Sequence, residues 1–439
     1  MGGYFATTGV RSEILYWAHP FGRRLFGFGE SLSGLSHGTG FAPDPPVKLH
    51  HLDAVRGVAI LGVVLVHAAQ AHGLTGTPFD LLARYGQMGV QLFFVASAYT
   101  LCLSAERRAG ESRALLKYGL RRLFRIAPLY YLAIGLYYLQ ARGGYFADNP
   151  HVPTAADYTP LNVLANVLLL HGSYPPANNV IVPGGWSIGT EVAFYAAFPL
   201  LWSVVRRARG RDTGVLMLIF VLAAVTLSQA TLLCLYPLGA QVHNGGFWYF
   251  HLVTQAPVFC IGIAYYVLRR EGWGRWGVGY DLGALATLTL LALGLWSLYV
   301  GHLYSVIATV SGLSFVALVE ALRKLPRLSP AWLRRLGQAS YSVYVLHFLV
   351  VWGLSSYAGA ALAGAIGAVA SVLAVFVLGT LGSFAAATLT ERLVEQPFVR
   401  LGRRLIARLD ARAAVAKTGG RRGGRARAAG ELGGDAPAP

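Results

Sequence analysis

Charged side chains make up only 13% of this 439-residue chain, about half the share found in soluble domains. So few charges cannot cover the surface of a water-soluble globule, which excludes a cytosolic enzyme and an intrinsically disordered protein. Cysteine is nearly absent. Cys102, Cys234 and Cys260 all lie in apolar runs, with no C-x-x-C pair and no metal-ligand spacing. They read as small core residues, and neither a disulfide framework nor a metal site is expected. Motifs of soluble enzymes are missing too: there is no G-x-S-x-G, no P-loop and no H-E-x-x-H. Acidic residues are the scarcer sign, 19 Asp and Glu against 37 Lys and Arg, for a net charge of +18. What the chain does have is apolar mass: 55% hydrophobic residues, 12% aromatics and a mean hydropathy of +0.51. The fold class that follows is an all-α polytopic membrane protein.

A crossing takes about 20 mostly apolar residues. Ten stretches qualify, near 52–70, 85–104, 127–142, 186–205, 213–233, 247–268, 278–298, 303–322, 340–358 and 364–390. The third is short. The run 161–172 is apolar but shorter still, and two readings of it are open: a re-entrant piece, or a true crossing that shifts the count. Charge tests the map. Segments 105–126, 206–212, 269–277 and 323–335 hold 19 Lys and Arg, whereas 71–84, 143–185, 234–246, 299–302 and 359–363 hold only Arg84. The positive-inside rule places the basic set, and with it both termini, in the cytoplasm. The expected organisation is a cytoplasmic N-terminal extension over 1–50, a transmembrane domain over 51–400, and a basic, mostly disordered cytoplasmic tail over 401–439. That tail carries nine Lys and Arg against three acids, which suits anionic lipid headgroups rather than nucleic acid. No internal repeat of the transporter kind is evident.

Ionisable groups within spans are costly, so each is a functional candidate. In the first span, Arg56 and His67 are eleven residues apart, within about 20° of the same helix face and roughly 16 Å apart along the axis. Asp53, one turn before Arg56, can pair with it. The bland alternative is an interfacial ion pair plus a histidine bonded between helices. In the fourth span, Ser187, Glu191 and Tyr195 share one face, following Trp186. Glu191 needs a partner or a wet cavity, and His67, at a comparable depth, is the candidate; a bond to a neighbouring amide is the alternative. Arg122 and Arg125 stand one turn apart at a cytoplasmic mouth and suit phosphate, although plain membrane anchoring explains them as well. Ser340, Tyr344 and His347 form the polar face of the ninth span, lining a cavity or serving as interhelical hydrogen-bond glue. Glu391 and Glu395 cap the last span, where pairing with nearby arginine is the simpler role.

Taken in order, these pieces resemble the acyltransferase 3 family of integral-membrane acyltransferases. Arg56…His67 matches its Arg-x10-His motif. Gly89–Ser97 is similar to its GV-x-LFF-x-xSG block, with Ala98 in place of the usual glycine. Arg121–Pro128 carries Arg-Arg-x-x-Arg-Ile-x-Pro, Trp186–Tyr195 carries Trp-Ser-x-x-x-Glu-x-x-Phe-Tyr, and Ser340–His347 carries Ser-Tyr-x-x-Tyr-x-x-His. Glu395–Pro397 supplies the closing Glu-x-Pro. The resemblance spans about residues 50–400 and lacks the appended SGNH-hydrolase-like domain of some members.

The resemblance implies a ten-helix core in a bacterial inner membrane. It implies transfer of an acyl group, acetyl by default, from cytoplasmic acyl-CoA to a hydroxyl of a cell-surface or lipid-linked glycan, or of a small metabolite such as a macrolide. On this reading His67, Glu191 and Arg56 are catalytic. His67 is the general base, or carries the acyl group transiently, and Glu191 orients it or holds a sugar hydroxyl. Asp53, Arg122, Arg125, Trp186, Ser187, Tyr195, Ser340, Tyr344 and His347 bind substrate. Acyl-CoA is a co-substrate, with no tightly bound cofactor and no metal; the acceptor and membrane lipids are the other partners, and nucleic acid is not one. The rival class is a proton-coupled transporter or flippase of an anionic or glycan substrate, and a non-catalytic assembly partner is a third.

Overall fold

The computed structural model describes residues 49–70, 78–146, 152–236, 246–298 and 303–411, and every regular element among them is helical. The expected extension up to Lys48 and the tail beyond Ala411 lie outside the described residues. The chain runs through α1 (His50–Gln70), α2 (Pro78–Tyr85), α3 (Gly89–Arg107), α4 (Ala114–Arg142), α5 (Pro160–Val167), α6 (Gly185–Val205), α7 (Thr213–Leu235) and α8 (Phe247–Phe250). It continues through α9 (Leu252–Arg270), α10 (Val278–Ser297), α11 (Tyr304–Lys324), α12 (Ala331–Gln338), α13 (Ser340–Leu354), α14 (Ala360–Ile366) and α15 (Ala368–Thr390). Nine helices among the described residues are long and apolar enough to cross a membrane.

The expected crossing not among these nine is the third, 127–142, which is the second half of α4. This 29-residue helix carries Lys117, Arg121, Arg122 and Arg125 in its first half, and those charges lower its average hydropathy. The run 161–172 does not cross. Thr159 caps α5 by accepting from the Asn162 N–H at 3.2 Å, and Pro160 opens it. It ends after eight residues, and Leu169 turns the backbone to φ 58°. At 1.5 Å per residue such a helix reaches only about 12 Å. The basic tail is not wholly irregular, because helix continues from α15 through a π-helical turn at Glu391–Glu395 to Ala411. Asp410 on that extension binds the buried Lys117 amine of α4.

The bundle has an apolar core in which polar side chains are interspersed, and an apolar outer face. Helices α1, α9 and α11 bury most of their length, whereas α7 and α10 bury only 11%. The outer faces are leucine-rich, as with Leu216, Leu218, Leu222 and Leu227 of α7. With lipid around it, a helix gains little by hiding leucine, so leucine stays on the outer faces while small and polar residues join the aromatic and branched side chains at the helix contacts. Ser228 of α7, for example, donates to the Thr254 carbonyl of α9.

At the basic end, Glu320 of α11 is nearly fully buried and pairs with Arg323 at 2.7 Å and Arg269 at 3.1 Å, while Tyr265 donates to it at 2.7 Å. This ties α9 to α11. Beside it, α12 lies across α1 at Gly337, where a Cβ would collide with the Asp53 carbonyl oxygen. The approach lets Gln338 donate to the Asp53 carboxylate at 3.0 Å. Removing a carboxylate from a buried ion cluster leaves its cations uncompensated, at a cost of roughly 3 kcal/mol. Glu320→Ala is therefore expected to lower the thermal midpoint of the detergent-solubilised protein clearly, and an unchanged midpoint would show that the cluster holds nothing together.

Candidate active site

Two cavities adjoin in the centre of the bundle. The one toward the basic end, about 110 Å³, is lined by Arg56 of α1, Ser97 and Thr100 of α3, Arg122 and Arg125 of α4, Ser187, Glu191 and Tyr195 of α6, and Ser340 and Tyr344 of α13. The other, about 520 Å³, is lined by His67 and Gln70 of α1, Gln91 of α3, Trp186 of α6, Tyr249 of α8, Tyr344 of α13, and Asp157 and Asn179 from the 152–184 segment. Val90 and Tyr344 line both. Tyr344 is held between them: its hydroxyl donates to the Gly184 carbonyl at 3.0 Å and accepts from Ser187 at 2.8 Å. Gly184 stands at φ 74° immediately before α6, a conformation that favours glycine.

In the smaller cavity, Glu191 is the hub. One carboxylate oxygen accepts from Tyr195 at 2.6 Å and from Ser97. The Arg122 guanidinium lies over the Tyr195 ring at 5.4 Å, and its Nε is buried with no hydrogen-bond partner. Arg56 pairs with Asp53 at 3.9 Å, as its spacing suggests, and donates to Thr100 at 3.3 Å. Among the described residues, neither Arg122 nor Arg125 has a carboxylate within ion-pairing distance. Asp53 lies outside both cavity walls, so it acts on the site through Arg56.

In the larger cavity, His67 Nδ1 is 2.8 Å from Gln70 Oε1. The amide oxygen can only accept, so Nδ1 carries the hydrogen and Nε2 is the basic nitrogen; this assignment follows from the hydrogen-bond pattern. The His347 ring lies 5.2 Å from that of His67 and is fully buried. His347 Nδ1 is 2.6 Å from the Tyr344 carbonyl, which makes it the donor and leaves Nε2 an acceptor with no partner. Trp186 forms another wall and stacks on Phe250 at 4.2 Å.

The structure thus gathers the expected residues other than Asp53 and His347, which line neither cavity, and corrects two pairings. Glu395 accepts from Ser342, with no arginine in ion-pairing distance among the described residues. Glu191 meets Ser97 and Tyr195 in the basic-end cavity, not His67 in the other. Hydropathy gives depth along a helix but not which neighbour a side chain faces. The sequence reading also left out Ser97, Thr100, Gln70 and Gln91. Phe93, Ser97 and Thr100 recur at i, i+4 and i+7 along α3, a helical stripe that marks a cavity wall.

Residues 49–388 match the family of the acyltransferase domain, more than three quarters of the chain. This chain belongs to the acyltransferase 3 family. Its sequence is also 26% identical, over 82% of this chain and 95% of the relative, to acyltransferase MdmB of Streptomyces mycarofaciens. No solved structure matches it. The family makes it a multi-pass membrane acyltransferase.

The 152–184 segment that walls the larger cavity is held by a buried cluster. His171 Nε2 donates to the Gly185 carbonyl at 2.9 Å, the Tyr130 hydroxyl donates to Asn166 at 2.7 Å, and the Tyr130 and His171 rings stack at 5.2 Å. Burial lowers the His171 imidazole from 6.5 to about 4. The unfolded chain therefore binds this proton at a higher pH than the folded one. The contribution is complete above pH 6.5 and is lost as the pH falls toward 4. Between those values the thermal midpoint of the wild type should drop further than that of His171→Gln; parallel curves would contradict this.

Proposed function

We propose that this acyltransferase moves an acyl group, acetyl by default, from cytoplasmic acyl-CoA to a hydroxyl of a cell-surface or lipid-linked glycan at the bacterial inner membrane. The observation that carries the reading is the pair of adjoining cavities. One presents Arg122 and Arg125, neither with a carboxylate in ion-pairing distance among the described residues, and the other presents a histidine with its basic nitrogen defined. The excess of Lys and Arg in four alternate segments supports placing the guanidinium-lined cavity on the cytoplasmic side, where CoA is made. Its phosphates are matched by Arg122, Arg125 and Arg56, since guanidinium forks suit phosphate oxygens. The thin pantetheine arm passes Val90 and Tyr344 and brings the thioester to His67.

In the reaction, His67 Nε2 takes the proton of the acceptor hydroxyl as its oxygen attacks the thioester carbonyl. A carbon–oxygen bond forms, the carbon–sulfur bond breaks, and the proton passes from His67 to the departing sulfur, releasing CoA and the ester. Gln70 holds the His67 ring in the required tautomer. Trp186 offers a face to a sugar ring, while Gln91, Asp157 and Asn179 supply polar atoms for its hydroxyls. Glu191 holds Tyr195 and, through it, Arg122. Ser187 fixes Tyr344, and Ser340 completes the wall beside it.

Two variants test the assignment. His67→Ala should insert normally and abolish label transfer from acetyl-CoA to a glycan extract, and near-wild-type transfer would overturn the role of His67. Arg122→Ala should weaken acetyl-CoA binding by about tenfold, as expected for the loss of one charge-assisted phosphate contact. An unchanged dissociation constant would remove Arg122 from the donor site. Solute movement without thioester cleavage would favour a transporter instead.

A further inference from the structure

A third cavity of about 590 Å³ opens at the basic end, between the α3–α4 connection and the last turns of α6. Three aromatic rings form a ladder along it: Tyr118 and Phe198 stack at 6.2 Å with 24° between planes, and Phe198 and Trp202 at 6.2 Å with 13°. Arg108, Arg121, Arg206, Arg207 and Arg209 line the same cleft.

Its two carboxylates are already engaged. Glu111 forms a two-pronged pair with Arg121 at 2.7 and 3.0 Å. Glu106 accepts from Tyr266 and stands 3.7 Å from Arg209. Among the described residues, Arg108, Arg206 and Arg207 have no carboxylate within ion-pairing distance. Burial and the like charge of Arg121 both lower the pKa of the Arg108 guanidinium, the situation that a bound anion relieves.

The cleft shares a wall with the Arg56 cavity. Tyr118 lines the cleft and donates to the Tyr195 carbonyl at 3.0 Å, while the Arg122 guanidinium lies over the Tyr118 ring at 5.9 Å and also lines the Arg56 cavity.

We infer that this cleft is the docking site for the nucleotide end of the donor, with the adenine against the partly exposed Trp202 at the end of the ladder and the 3′-phosphate on Arg206 and Arg207. The inference rests on the acyl-CoA reading of the donor. Planar rings beside uncompensated guanidinium groups match a phosphorylated purine nucleotide. A lipid headgroup uses the phosphate chemistry but not the aromatic ladder. From here Tyr118 and Arg122 lead the diphosphate inward.

The test is equilibrium binding of labelled acetyl-CoA to the purified full-length protein, with adenosine 3′,5′-bisphosphate and pantetheine as competitors. In the wild type the bisphosphate should displace acetyl-CoA. In Arg206→Ala/Arg207→Ala and in Trp202→Ala, the bisphosphate concentration needed should rise about tenfold, with the pantetheine concentration rising far less. Displacement unaltered in both variants overturns the location while leaving the acyl-CoA donor intact. Loss of phosphatidylglycerol retention in the variants with unaltered displacement assigns the cleft to lipid headgroups and likewise overturns it. A wild type that binds no acetyl-CoA overturns the donor reading and this inference together.

Discussion

A carboxylate buried inside a hydrocarbon-embedded bundle is costly unless it is hydrogen-bonded. Glu191 meets that demand by drawing together helices that are distant in sequence: Ser97 arrives on α3 and Tyr195 lies one turn further along α6. Tyr195 then presents its ring to Arg122 of α4. The same demand applies at Ser187 and Tyr344, which satisfy one another and the Gly184 carbonyl. These buried polar groups thus satisfy one another, and among the described residues Arg122 Nε and Gln91 Oε1, which belong to cavity-lining residues, are left without partners.

This arrangement separates two tasks along one axis. Arg56 and His67 share a helix and are about 16 Å apart along it, and each lines its own cavity. Cations at one end and an imidazole at the other suit a donor whose charge and reactive carbon are far apart. Tyr344 stands where the cavities meet. Its hydroxyl, bonded to Ser187 and to the Gly184 carbonyl, holds the side chain in place between them.

Much of this was legible in the sequence. Nine crossings follow from apolar length alone, and Arg56, Glu191, Trp186, Tyr344 and His67 stand out because polar groups are rare in such segments. The third stretch, 127–142, was legible only as part of its element, since the arginine-bearing first half of α4 belongs to the same helix. The end of α5 rests on a left-handed backbone at Leu169, for which leucine gives no warning. The partner of Glu191 was misread because spacing along one helix fixes depth and face, whereas the neighbour across the gap depends on packing. Ser97 was in plain view, within a block quoted for its family resemblance, but serine is too common for its position to stand out. Gln70 and Gln91 were hidden for the same reason.

The central claim is that donor and acceptor meet where the two cavities adjoin. A structure of the protein with a non-cleavable thioether analogue of acetyl-CoA tests it most directly. The account predicts phosphates beside Arg122 and Arg125, the pantetheine arm passing Val90 and Tyr344, and the analogue's carbonyl in the larger cavity beside His67. An analogue whose carbonyl remains on the Arg56 side of Tyr344, or which occupies neither cavity, would contradict it.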